Sequence, residues 1–221
     1  MKYEIVEKPT FALLRVYLES GENVFSETGA MVSISGDIEM KTKLAGGLFK
    51  SLMRSVAGGE ALFINEFVAK SSGYIEFAPA LPGDIEYIEL SNDSMVIQDG
   101  AYLAHHGNLS YEVKFSGLRK LAAGLGFAHL EFSGNGGLWI NSYGAIMKKE
   151  LKEGEKFTLD NTHFVATNSK NFEIKRVGKG LKSLVFGGEG IVLSFEGPCE
   201  VYYQTRSFGS LVDLIARYVK G

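Results

Sequence analysis

Residues 13–25 run LLRVYLESGENVF, residues 85–97 run IEYIELSNDSMVI and residues 146–158 run IMKKELKEGEKFT. Each stretch is a short alternating strand that ends in leucine, at Leu18, Leu90 and Leu151, followed by a polar turn and a second strand. Side chains that alternate between apolar and polar with a period of two belong to a half-buried strand, since successive Cβ atoms point to opposite faces. The intervening ESGEN, SNDSM and KEGEK are rich in the residue types that tolerate hairpin conformations, so each is expected to be a turn.

The likeness continues outward. After the turns come TGAMVSISGDIEMK, DGAYLAHHGNLSYEVK and NTHFVATNSKNFEIK, each a strand, a polar turn and a second strand that carries Glu39, Glu112 or Glu173. A glycine then introduces a short apolar segment in each: GGLFKSLMRSVAGG, SGLRKLAAGLG and GKGLKSLVFGG. Each stretch closes with strands, LFINEFVAKSSGYIEF, HLEFSGNGGLWINSY and IVLSFEGPCEVYYQT. The reading is an all-β protein of three internally repeated β modules around a pseudo-threefold axis, of β-sandwich or double-stranded β-helix type. It divides one compact unit into repeats at about 1–72, 73–136 and 137–206, with a C-terminal helix at 207–221. The last strand, EVYYQT, resembles the strands that open the repeats and is expected to pair with YEIVEK at the N-terminus, closing a ring and hiding two edges.

The tail departs from this pattern. In SFGSLVDLIARYVK, Ser207 suits an N-cap, and Leu211, Leu214, Ile215 and Tyr218 fall on one stripe. Asp213 early and Arg217 and Lys220 late complement the helix dipole. One amphipathic helix is expected here, packed on the body or on a neighbouring subunit.

Composition narrows the function classes. Hydrophobic residues make up 45% and charged residues 22% of the 221, which argues against wholesale disorder. A net charge of −3 offers no basic face for nucleic acid. The single cysteine, Cys199, excludes an internal disulfide and a multi-cysteine zinc site. The opening MKYEIVEKPT lacks an apolar signal core and no long uncharged apolar run follows, so a cytoplasmic location is expected.

Over essentially its whole length the chain resembles the mitochondrial biogenesis (altered inheritance of mitochondria) family. The resemblance rests on FSETGAMVSISGDIEMKTK with GGLFKSLMRS, on SGLRKLAAGLGF, and on LWINSYGAIMKKEL with EGEKFTLDNTHFVA. It implies three repeats of a unit like the tryptophan RNA-binding attenuation protein. It also implies a trimeric cytoplasmic protein without an assigned reaction, whose fungal relatives are associated with inner-membrane organisation. The attenuation protein binds tryptophan and RNA, but its ligand residues match no specific positions here.

Candidate chemistry is sparse. His105 and His106 precede Gly107 and are expected at a surface or turn, because adjacent strand residues cannot reach one metal. His129 and His163 are expected in strands as half-buried, hydrogen-bonded side chains. Cys199 follows Pro198 with nothing adjacent to activate it. Gly134–Gly137, GNGG, lies between apolar runs and is expected to be a hairpin turn, and neither it nor GGEG at 187–190 has the context of a phosphate loop. No catalytic residue, cofactor site or metal site is expected, and the chain is read as a non-enzyme.

The segment Gly46–Gly59 is the candidate interaction surface. Read as a helix, it sets Leu48, Leu52, Met53 and Val56 on one face, next to Phe49, with Lys50 and Arg54 flanking. Its shorter counterparts, 117–126 and 180–188, have cations of their own, Arg119 and Lys120 in one and Lys179 and Lys182 at the other. Such elements either plug the ends of the modules or face a membrane or protein partner; apolar stripes are more often core than contact. The functional expectation is a homo-oligomeric, trimeric scaffold, with a small-molecule or RNA-binding module as the alternative.

Overall fold

The computed structural model describes residues 1–44, 63–98, 100–115, 128–176 and 191–219. The chain is predominantly β. Its first part holds β1 (Lys2–Val6), β2 (Leu13–Leu18), β3 (Asn23–Glu27), β4 (Met31–Ser35), β5 (Ile38–Leu44), β6 (Phe63–Ala69) and β7 (Gly73–Phe77). Three 14-residue strands follow, β8 (Ile85–Gln98), β9 (Tyr102–Phe115) and β10 (Ala128–Asn141). The last part holds β11 (Ile146–Leu151), β12 (Lys156–Asp160), β13 (Phe164–Thr167), β14 (Phe172–Arg176), β15 (Ile191–Glu196), β16 (Cys199–Gln204) and one helix, α1 (Phe208–Val219).

The described strands form three sheets. One has the order β1-β2-β7-β4, a second β11-β16-β13-β8-β10-β9-β3-β6-β5, and a third β12-β15-β14. All paired strands run antiparallel. The alternation read from sequence is carried by β2, where Leu14, Val16 and Leu18 are buried and Leu13, Arg15 and Tyr17 are not.

Three apolar clusters fill the space between and within the sheets. Leu14, Val16, Ile75 and Phe77 of the four-stranded sheet meet Val24, Phe67, Leu103 and Trp139 of the nine-stranded one. Leu159, Leu193 and Phe195 of the three-stranded sheet meet Val96, Phe164 and Val201. Between these lies the third cluster, with Ile97, Tyr102, Phe132, Leu138 and Ile140 at its centre.

The polar motifs behave in two ways. Residues 19–22 and 152–155 are turns, but the strands they join enter different sheets and do not form hairpins. SNDSM is no turn. It lies inside β8, where Asn92 has φ 56° and the pairing with β10 shifts register at Gly134/Asn135. GNGG is likewise no hairpin turn, because all four residues lie within β10. Backbone packing explains the glycines: a Cβ on Gly134 would come within 2.3 Å of the Asn108 carbonyl oxygen and one on Gly136 within 2.2 Å of that of His106. The expected ring closure by the terminal strands is also overturned. β1 pairs with β2 from Lys2↔Tyr17 to Val6↔Leu13, and β16 is already flanked by β11 and β13.

Candidate functional site

β9 presents His105 and His106 to opposite faces, as a strand must, but neither lies at a surface turn. His105 is 2% exposed. Its ring stacks on Phe25 with centroids 4.7 Å apart, and its Nδ1 lies 2.7 Å from the Tyr102 hydroxyl. Burial, with His106 adjacent, pushes its pKa down to about 3. His106 is half-buried against Tyr87, with Nε2 3.3 Å from the Tyr87 hydroxyl, and against Trp139. Burial lowers its pKa as well.

His163 closes a short 3₁₀ turn, Asn161–His163, and so is not in a strand; its Nδ1 lies 2.7 Å from the Gln204 carbonyl oxygen and donates to it. His129 is in β10, buried, with its ring 6.3 Å from that of Phe172. The Cys199 thiol is buried and its pKa is raised by that burial, the opposite of what a thiolate nucleophile needs. Among the described residues no three His, Cys, Asp or Glu side chains are placed to hold a metal ion. Leu48, Phe49, Lys50, Leu52, Met53 and Arg54 lie outside the described residues, as does GGEG at 187–190.

Two surfaces do stand out. The first is α1. Ser207 precedes it and its Oγ accepts from the Ser210 amide at 3.4 Å, the capping role its sequence position suggests. No residue of the helix is buried, and Val212, Leu214, Ile215, Tyr218 and Val219 are all exposed, Tyr218 to 82%. The second is β4, an end strand of its sheet, whose Met31, Val32 and Ile34 are exposed. No helix among the described residues is long and apolar enough to cross a membrane.

A cavity of about 410 Å³ lies where the ends of β3, β8, β10 and β16 converge beside the first residue of α1. Glu27, Gln98, Asn141, Tyr143 and Gln204 supply its polar lining, and Leu81 and Phe208 are the largest of its apolar groups. Its walls are tied by backbone bonds. The Asn141 amide donates to Ala101 O at 2.8 Å, Ser142 N to Asp84 O at 3.1 Å and Gly144 N to Pro82 O at 3.0 Å. Gln204 has both ends engaged, with Oε1 accepting from Tyr143 N and Nε2 donating to Thr162 O, each at 2.9 Å. The reading of motifs missed this site because none of its residues is reactive. One signal was available: Glu27 and Gln98 occupy matching places in SETGA and IQDGA.

The comparisons with known proteins agree with this fold. An uncharacterised protein of Streptococcus pyogenes serotype M6 is 31% identical over 99% of this chain and 91% of its own length. The crystal structure of a Streptococcus pyogenes protein, a structural-genomics target, superposes with a TM-score of 0.82 at 30% identity, covering 98% of this chain and 99% of that one. The family model for mitochondrial biogenesis AIM24 matches residues 3–206. The chain belongs to the mitochondrial biogenesis AIM24 family.

Proposed function

We propose that this protein is a non-catalytic, cytoplasmic scaffold that assembles as a homotrimer, each chain being three β modules packed as sandwiches about a pseudo-threefold axis. The pairing pattern supports the modular part. β7 pairs with β2 and β4 while β6 pairs with β3 and β5. β16 pairs with β11 and β13 while β15 pairs with β12 and β14. β10 pairs with β8 and β9 along its whole length, which combines both patterns in single strands. Joints of one kind, β3 to β9 and β8 to β13, connect the three groups. These pairings favour module limits near 13–77, 85–141 and 146–204.

The observation that carries the assembly is α1. Twelve residues are marginal as an isolated helix in water, because nucleation is costly and few bonds repay it. A helix of that length with no buried residue and six exposed large apolar side chains is stabilised by a partner surface. The partner we assign is a second copy of this chain, since a closed symmetric assembly hides the helix and the apolar β4 edge of every protomer. From the sequence alone, Leu48, Phe49, Lys50, Leu52, Met53 and Arg54 are proposed as a further interaction surface, for a protein partner or a membrane.

Analytical ultracentrifugation of the full chain tests the reading. The expected result is a trimer that dissociates when Leu214 and Ile215 are both changed to Glu, with the β circular-dichroism signal retained. A monomeric wild type, or a doubly substituted trimer of unchanged mass, overturns it. Vesicle co-sedimentation of wild type and Leu48→Glu/Leu52→Glu separates membrane from protein partners. The alternative function, small-molecule or RNA binding, is disfavoured for RNA by the net charge of −3.

A further inference from the structure

β4, β9 and β13 share one irregularity. β4 pairs Met31 with Phe77 and Ser33 with Glu76, passing over Val32. β9 pairs Tyr102 with Ile140 and Ala104 with Trp139, passing over Leu103. β13 pairs Phe164 with Tyr203 and Ala166 with Tyr202, passing over Val165. A bulge at the same place in each strand makes Ser33, Ala104 and Ala166 equivalent, and with them Ile34, His105 and Thr167. The preceding strands, β3, β8 and β12, end at Glu27, Gln98 and Asp160, each at the same distance ahead of the bulged strand. Phe25, Val96 and Thr158 are therefore equivalent, as are Ser26, Ile97 and Leu159.

This correspondence gives the joints within the chain a single register. Where β3 meets β9, Phe25 opposes His105 and Ser26 opposes Ala104. Where β8 meets β13, Val96 opposes Thr167 and Ile97 opposes Ala166. β12 and β4 are the strands of these two kinds left over. Each ends its sheet, with β15 and β7 as their single neighbours among the described strands. Exposure separates the joints from these edges. Leu103 and Val165 are 0% exposed, whereas Val32 is 52% exposed. His105 and Thr167 are buried and Ile34 is exposed; Val96 is buried and Thr158 is exposed.

We infer that β12 of one copy of this chain pairs antiparallel with β4 of the next, with Leu159 opposite Ser33 and Thr158 opposite Ile34. The contact is head-to-tail, and it joins β14-β15-β12 of one copy and β4-β7-β2-β1 of the next in one sheet. Repeated around a ring it leaves no β4 or β12 edge uncovered, and a ring of three copies is the trimer proposed above. The occupant is a second copy because the register that covers these edges is one the chain already uses twice on itself. The inference rests on that self-assembly and supplies its contact.

Disulfide trapping tests the joint. Residues directly opposite on antiparallel strands have Cα atoms about 4.5–5.5 Å apart, within disulfide reach. In a Cys199→Ser background, Ile34→Cys with Thr158→Cys is expected to oxidise to covalent species up to a trimer on a non-reducing denaturing gel. Ser35→Cys with Thr158→Cys, one residue out of register and on the other face, is expected to stay monomeric. Charge substitutions at the exposed Ile34 and Thr158 give a second reading that spares the core of the monomer. Ile34→Glu with Thr158→Glu is expected to raise the dissociation constant of the assembly about tenfold, and Ile34→Glu with Thr158→Lys to restore it. Monomers alone on oxidation, equal trapping by both cysteine pairs, or equal effects of the two charge pairs overturns the joint. If the wild type then still sediments as a trimer, the assembly stands and this contact alone fails; a monomeric wild type removes both.

Discussion

The Tyr102 hydroxyl lies 2.7 Å from His105 Nδ1, and both side chains are buried, three residues apart on β9. Odd spacing puts the two residues on opposite faces of a regular strand. The contact arises where β9 is irregular: Trp139 pairs with Ala104 and Ile140 with Tyr102, so Leu103 is passed over. The histidine stays neutral because its surroundings offer aromatic rings, Phe25 stacked on it and Phe132 edge-on, in place of water.

This neutrality makes stability depend on pH. The folded pKa of His105 is about 3 against an ordinary 6.5, so between those values the unfolded chain binds a proton that the folded chain does not. Stability is full above 6.5 and falls as the pH drops through that window, by up to ~1.4 kcal/mol per unit. His105→Gln keeps an acceptor for Tyr102 and removes the titration. Urea denaturation at pH 7 and pH 5 is expected to show wild type losing about 2 kcal/mol more than the variant. Equal losses would refute the account.

Asn92 has φ 56° in the middle of β8, and its side chain is paired with that of Asn135 across the bulge. Asn135 Nδ2 donates to Asn92 Oδ1 at 2.7 Å, and Asn92 N donates to Asn135 Oδ1 at 2.9 Å. Asparagine tolerates positive φ and a β-branched residue does not. Asn92→Gly is expected to cost under about 1 kcal/mol and Asn92→Val about 2 kcal/mol or more by chemical denaturation. A reversed order would show that the side-chain pair, and not the backbone, governs the site.

Asn92 also marks how far the sequence could be read. SNDSM, ESGEN and KEGEK share a demand for a bend, and the structure bends at all three places. Whether the chain leaves the sheet at the bend depends on its partner. β10 runs unbroken beside β8 and keeps it whole, whereas β6 and β7, or β15 and β16, are separate strands that draw β3 from β2 and β12 from β11. Local residue types do not encode the continuity of a strand 40 residues away. For the same reason the surface or turn expected at His105-His106-Gly107 does not form: Gly107 does have φ 85°, but there it lets β9 pass close to Gly136 without leaving the ladder. The helix was legible because Ser207 and the Leu211, Leu214, Ile215 and Tyr218 stripe are local signals. The cavity was not, because Glu27, Gln98, Asn141 and Gln204 become neighbours only through the sheet order.

Gly83 holds the links on either side of the cavity together. A Cβ there would come within 1.7 Å of the Ser142 carbonyl oxygen, which is backbone and cannot swing aside. Gly83→Ala therefore has to separate the links that Asp84 N→Gly144 O and Ser142 N→Asp84 O join. The expected loss is about 2–4 kcal/mol in chemical denaturation, a value at the severe end for one methyl group. A loss below about 0.5 kcal/mol would mean that the links are free to part, and the cavity would not be preformed.

Glu76 fastens the apolar edge strand β4 to the rest of its sheet. From β7 it accepts Ser33 Oγ of β4 at 2.6 Å on Oε2, and Arg15 Nε and Nη2 of β2 at 2.9 and 2.7 Å on Oε1. The Ser33 hydroxyl, then the Arg15 guanidinium, hold its carboxyl below the ordinary 4.5. Its contribution is therefore complete above that value and is lost as the pH falls through the depressed folded pKa, a window more acidic than that of His105. Glu76→Gln keeps the shape and weakens the charge-assisted bonds, and the expected cost at pH 7 is about 1–2 kcal/mol, shrinking toward pH 3. Because β4 has β7 as its one neighbour among the described strands, the variant should also speed amide exchange in 31–35 more than in β2, which β1 covers on its other side. Uniform exchange across both strands would mean that Glu76 stabilises the sheet as a whole and does not specifically secure its edge.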